Sequence, residues 1–152
     1  MSAKQDRLRS YQALLRMARV REAIAGADLA EAAKSERERR TQHQAVLDER
    51  ALVARAGQQC LASGDTLDLA RYEMLSRLDA ALSDRLDKTS SHLAEAEQLR
   101  EEKAHANWQA KRYRERAGEQ SDTARTALHR EVLAKGQEEA VELWVESQGG
   151  KA

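Results

Sequence analysis

Histidine and cysteine are the side chains of this sequence best suited to metal binding or nucleophilic catalysis. The chain contains His43, His92, His105, His129 and a single cysteine, Cys60. No two of them stand at metal-ligand spacing, and neither an H-E-x-x-H nor a C-x-x-C motif occurs. The seven glycines are scattered and form no phosphate-binding loop. We therefore predict no catalytic, metal or cofactor site, and expect Cys60 to be a small packing residue.

The composition favours long helices over a thick globular core. Aromatic residues make up 3% of the chain, charged residues 34%, and proline is absent. One cysteine excludes an intramolecular disulfide, and no apolar run has the length of a membrane-spanning helix. The first ten residues lack the apolar centre of a signal peptide. We expect a cytoplasmic protein.

The pattern of apolar residues predicts an all-α fold. From about Leu67 to Gln148 a stripe repeats at alternating three- and four-residue steps, which average 3.5 residues and indicate a coiled coil. The predicted stripe is Leu75, Leu78, Leu82, Arg85, Thr89, His92, Ala96, Leu99, Lys103, Ala106, Ala110, Tyr113, Ala117, Gln120, Ala124 and Ala127. A single helix of this length would be a rod of roughly 120 Å. Such a helix needs a partner helix.

The first part of the chain supplies that partner. A helical seam is predicted at Leu8, Tyr11, Leu15, Ala18, Ala25, Leu29 and Ala32, and it resumes at Val46, Leu47, Leu52 and Val53. Between Lys34 and Gln44 it fades into charged residues that would be solvated on their own. We predict helix 1 at about 4–61, a turn at 62–66 capped by Asp65 or Thr66, and helix 2 at about 67–148. The short turn makes this one antiparallel coiled-coil domain, 1–152.

Two segments of helix 2 have two interpretations each. Lys111–Arg116 carries four positive charges and one negative; it is either a solvated face or a docking patch for an acidic protein surface. A nucleic-acid-binding arm is a weaker reading, because the chain balances 26 basic against 26 acidic residues. The apolar residues Trp108, Val132, Leu133, Val141, Leu143, Trp144 and Val145 either pack against helix 1 or form an apolar plug for a partner.

The chain resembles the FliJ/YscO family, the stalk proteins of type III secretion and flagellar export systems. The resemblance is carried by the chain length, the Gly64-Asp65 turn followed by LARYEMLSRLDAAL, Trp108 within NWQAKRYRER, and the C-terminal LWVE. It covers most of the chain and is clearest from Gly64 onward. A virulence-type secretion member fits better than a flagellar one, because Leu75 stands where flagellar members carry phenylalanine.

This resemblance implies a non-enzymatic, two-helix stalk similar to part of the γ stalk of rotary ATPases. It implies insertion into a hexameric secretion ATPase, a link to the membrane export-gate protein, and possible handling of secretion chaperones, all at the cytoplasmic side of the inner membrane. Expected ATPase-ring contacts are Trp108, Lys111, Arg112, Arg114, Val141 and Trp144. Expected export-gate contacts are Gln42, Val46, Val53, Leu75 and Leu78. The alternative is a generic coiled-coil scaffold or chaperone-like adaptor that binds partner helices.

Overall fold

A computed structural model describes residues 2–62 and 68–150 of the chain as two α-helices. Helix α1 spans Ala3–Ala62 and α2 spans Leu69–Gly149. The two helices pack against each other, so the predicted all-α helical hairpin is confirmed. The predicted turn, from Ser63 onward, and the predicted caps Asp65 and Thr66 lie outside the described residues.

Local hydrogen bonds mark where each helix begins and ends. Ser2 Oγ accepts a hydrogen bond from the Gln5 amide at 3.3 Å, and Gln5 Oε1 accepts one from the Ser2 amide at 3.2 Å. This reciprocal pair is a capping box for α1. At α2, Asp68 Oδ1 accepts the Arg71 amide at 3.2 Å, so Asp68 is the N-cap. The Gly150 amide donates to the Glu146 carbonyl just after α2 ends.

The chain divides into two compact units, each containing one segment from either helix. Unit 1 comprises Met1–Ala25 and Ala106–Ala152, and unit 2 comprises Gly26–His105. In both units the segments are antiparallel. Within unit 1, Lys4 pairs with Glu131, and Glu22, further along α1, pairs with Arg114, earlier in α2.

The seam of each unit is the line of buried and half-buried residues between α1 and α2, and the most buried residues of unit 1 have small side chains. Ala18 of α1 is fully buried in unit 1, and Ala117, Ser121 and Ala124 of α2 are buried there as well. Small seam residues let two helix backbones approach closely. The buried apolar residues of unit 2 are Ala32, Val46, Leu82 and Ala96.

On α2 the predicted stripe was correct at every second position and at Ala127, and wrong at the other seven positions. Leu75, Leu82, Thr89, Ala96, Lys103, Ala110, Ala117 and Ala124 are buried or half-buried, as predicted. Leu78, Arg85, His92, Leu99, Ala106, Tyr113 and Gln120 are instead exposed. At six of these seven positions the next residue along the chain is buried or half-buried instead: Asp79, Leu86, Leu93, Asn107, Arg114 and Ser121. Arg100, which follows Leu99, is exposed. Steps of three then four residues and steps of four then three residues both average 3.5 residues. The period of the stripe therefore does not determine which of the two sets of residues faces α1.

On α1 the seam does not fade between Lys34 and Gln44. It continues through Glu36, which is 7% exposed, and through the half-buried His43. Beyond this stretch Val46 and Val53 are in the seam, whereas Leu47 and Leu52 are exposed. The expectation of a solvated segment was wrong because α2 supplies charge partners for these polar residues.

Candidate interaction surfaces

Polar residues at seam positions of unit 2 are paired across the two helices. Glu36 forms ion pairs with Arg100 of α2 and, at 2.8 Å, with Arg40 of its own helix. Arg40 also reaches Glu97 at 3.3 Å. The Glu36–Arg100 and Arg40–Glu97 pairs both need the two helices at one particular axial offset, so together they specify the register of the hairpin in this unit.

Two further polar contacts lie between Glu36 and the turn end of unit 2. His43 Nδ1 lies 3.0 Å from the Thr89 hydroxyl, and Arg50 Nε donates to Asp79 at 3.1 Å. All four of these residues are half-buried. His92, expected on the seam, is exposed. Of these two histidines, His43 is the one that makes a polar contact across the seam.

In unit 1 the pairing of α2 ends at Glu131. Lys4, in the first turn of α1, lies 3.7 Å from Glu131, and every α2 residue after Glu131 is exposed. We call residues 132–149 the overhang. Its apolar residues are Val132, Leu133, Val141, Leu143, Trp144 and Val145, each 53–66% exposed. They do not pack against α1, which removes the first of the two interpretations given for this cluster.

The overhang is amphipathic, and its apolar face is turned away from the α1 side of α2. Continuing the seam step beyond Glu131 leads to Lys135, Glu138, Glu142 and Val145. Glu139 and Glu146 lie on this same side, at 100° per residue. Leu133, Ala140 and Trp144 lie on the opposite side, with Val141 beside them. An extended α1 would therefore meet mainly charged residues together with Val145, and the apolar face is open to another partner.

The basic segment Lys111–Arg116 is divided between the seam and the surface. Arg114 is half-buried and pairs with Glu22 of α1, so its charge is used within unit 1. Lys111 and Arg112 are exposed. The Arg112 guanidinium lies 5.7 Å from the ring centre of Trp108, which is 56% exposed, within the range of a cation–π contact. Among the residues expected to contact the ATPase ring, Arg114 is the one held in place by an ion pair with α1.

The expected export-gate contacts differ widely in accessibility. Leu78 is 46% exposed and Gln42 is exposed, whereas Leu75 and Val53 are half-buried. Val46 is 2% exposed, so its side chain lies within the seam of unit 2 and offers almost no surface to a partner.

The sequence reading missed one surface feature, an apolar stripe on the outer side of α1 in unit 1. We call Leu14, Met17, Val20 and Ile24 the outer stripe; they are 38%, 53%, 59% and 57% exposed. Their three- and four-residue spacing could have been recognised as a second helical stripe, because they alternate with the seam residues Leu15 and Ala18.

Metal-binding groups and membrane spans were sought in the same part of the chain. Among residues 2–62 and 68–150, no cluster of three or more His, Cys, Asp and Glu side chains could hold a metal ion. Within these ranges neither helix contains a stretch long and apolar enough to cross a membrane.

Comparisons of the chain with protein-family profiles, with curated proteins and with solved structures found no match.

Proposed function

We propose that this chain is a non-enzymatic stalk of a type III protein secretion apparatus, and that its overhang enters the central hole of the hexameric secretion ATPase. The observation that carries the proposal is the overhang itself: about five turns of α2 continue past the first turn of α1 with Val141 and Trp144 exposed. This arrangement supports the function implied by the resemblance to the FliJ/YscO stalks.

A single helix suits a narrow central hole better than a helix pair does. An α-helix with its side chains is about 10–12 Å wide, whereas two packed helices have axes about 8–10 Å apart and are nearly twice as wide in one direction. Tryptophan is enriched at binding hot spots because it buries a large area with little loss of side-chain freedom. In this proposal Trp144 is the anchor. Trp108, Lys111 and Arg112 meet the rim of the ring, and Arg114 holds α2 against Glu22.

The proposal assigns the turn end of unit 2 to the membrane export gate. Leu78 and Gln42 supply exposed contacts there, with Leu75 and Val53 at the margin of the surface. Val46 supports the contact by keeping α1 packed on α2. Secretion chaperones would be handled on the same stalk. The chain would act at the cytoplasmic side of the inner membrane.

The experiment measures ATP turnover and hexamer formation of a secretion ATPase from such a system, with and without this chain. We expect stimulation by wild type and a loss of affinity of about 30-fold, or 2 kcal/mol, for Trp144→Ala. Leu52→Ala is the matched control, because Leu52 is 63% exposed on unit 2 and is not assigned to the ring. Absence of any response to wild type, together with tight self-association, would support the coiled-coil scaffold instead.

A further inference from the structure

The outer stripe of unit 1 is an apolar surface at positions that are normally polar in a two-helix coiled coil. Met17, Val20 and Ile24 lie on the side of α1 turned away from the seam, spaced three and four residues apart. They span about 10 Å along the helix. Each is more than half exposed, so the fold of unit 1 does not account for their apolar character.

The outer stripe lies in a strongly basic part of α1. Between Arg7 and Arg21 the helix carries five arginines and no aspartate or glutamate. Arg16 and Arg21 line a shallow groove with Met17 and Val20. The chain as a whole has equal numbers of basic and acidic residues, so this excess is local.

Helix α2 extends the basic surface on one side of the stripe. The Arg21 guanidinium lies 5.8 Å from the ring centre of Tyr113, and the neighbouring pair Glu22–Arg114 joins the two helices at the same level. Lys111–Arg116 therefore lies beside the C-terminal end of the arginine-rich part of α1, near Arg21. Within this patch Glu22 is already neutralised by Arg114.

We propose that the outer stripe is a docking site for an acidic amphipathic helix of a partner protein. Such a helix would place apolar side chains at i, i+3, i+4 and i+7 against Met17, Val20 and Ile24. Aspartate or glutamate on its flanks would face Arg16, Arg19 and Arg21. Complementary charge would raise the association rate and disfavour basic partners. This inference does not depend on the proposed stalk function.

Two other classes of partner fit the patch less well. Single-stranded nucleic acid binds through phosphate contacts together with aromatic side chains that stack on bases. The outer stripe itself has no aromatic side chain, and the ring of Tyr113 beside it is already in contact with Arg21. Helices that lie in membrane interfaces usually bury aromatic and leucine side chains over a longer face, whereas here three large side chains dominate.

A second copy of the chain also fits less well, although its overhang is an acidic amphipathic helix. The apolar face of the overhang is turned away from the α1 side of α2, whereas the outer stripe lies on the outer side of α1. A two-fold pair of copies cannot bring both overhangs onto both outer stripes, so only open head-to-tail chains could form.

The test uses the full chain and a synthetic helix of about 18 residues, long enough for five turns. The probe carries leucines at i, i+3, i+4 and i+7 with flanking glutamates, and its twin carries lysines in place of the glutamates. Fluorescence anisotropy should show binding of the acidic probe, weakened by about tenfold or more for the lysine twin and for binding to Val20→Glu. Leu52→Glu is the control with a matched exposed apolar residue, and its affinity should equal that of wild type.

Several results would overturn the proposal. Equal binding of the two probes, equal affinity of wild type and Val20→Glu, or equal weakening by Leu52→Glu would exclude a specific site. Binding of single-stranded RNA or anionic vesicles that is lost in Val20→Glu would reassign the stripe to those partners. Concentration-dependent assembly in sedimentation, abolished by Val20→Glu, would reassign it to a second copy. The ATPase assay on Val20→Glu is a separate readout, since Val20 is outside the proposed ring contacts.

Discussion

Glu36 and Arg100 form an ion pair across the seam of unit 2, with the carboxylate nine-tenths buried and the guanidinium about half exposed. Arg40 holds the same carboxylate from one turn further along α1. A buried carboxylate is tolerated only when it is paired, so Glu36 disfavours every register that separates it from Arg100. The charged middle of α1 thus contributes specificity to an alanine-rich seam.

Removing this carboxylate should destabilise the hairpin without abolishing its helicity. We expect Glu36→Ala to lower the free energy of unfolding by about 1.5 kcal/mol, the lower end for hydrogen bonds to charged groups, because Arg100 is partly solvated. Glu38→Ala, at an exposed position of the same turn, should have an effect within about 0.5 kcal/mol. Denaturant unfolding followed by circular dichroism measures both, and equal effects would contradict the assigned role of Glu36.

The register of α2 can be tested with two leucines four residues apart. Leu82 is 4% exposed and Leu78 is 46% exposed. Leu82→Ala should cost about 2–4 kcal/mol, because it removes seam contacts and leaves a cavity, whereas Leu78→Ala should cost less than about 1 kcal/mol. Thermal unfolding of the two variants measures the difference. Similar costs for the two variants would support the stripe predicted from sequence, which contains both leucines.

The close packing of unit 1 predicts a strong dependence on side-chain size at Ala18. Ala18 has no exposed surface, so Ala18→Leu should overpack the seam and cost about 1–3 kcal/mol. Ala23→Leu makes the same chemical change at an exposed position of α1 and should be neutral. Unfolding midpoints compare the two variants, and tolerance of Ala18→Leu would show that the helices are less closely packed than described.

Hydrogen exchange should distinguish the overhang from the paired part of α2. Residues 132–149 are all exposed, and within the described residues 2–62 and 68–150 no helix covers them, so their amides should exchange much faster than those of residues 110–128. Gly136 has no atom within 4 Å of an added Cβ, and Gly136→Ala should slow exchange in the overhang by up to about fivefold, or 1 kcal/mol of helix propensity. Exchange at residues 110–128 should not change. Uniform protection along α2 would contradict an unpaired overhang.

The apolar period was sufficient to predict both helices of the hairpin, because it depends only on the order of residues along one helix. It also located the α1 seam from Leu8 to Ala32 correctly. The same information misplaced half of the α2 seam: Leu78 and Leu99 are as apolar as Leu86 and Leu93, and only contact with α1 selects between the two sets.

For the apolar C-terminal segment, too, the sequence predicted which residues form the cluster but not whether they are packed or exposed. Sequence identified Val141 and Trp144 as a cluster, but packing against α1 and exposure to a partner were equally consistent with the pattern. Where α1 begins relative to α2 depends on the axial offset of the two helices, which pairs such as Glu22–Arg114 hold in place. Those are contacts between residues far apart in sequence, and no local pattern contains them. The hairpin follows from local periodicity, whereas its register, the overhang and the outer stripe are defined only when the two helices pack.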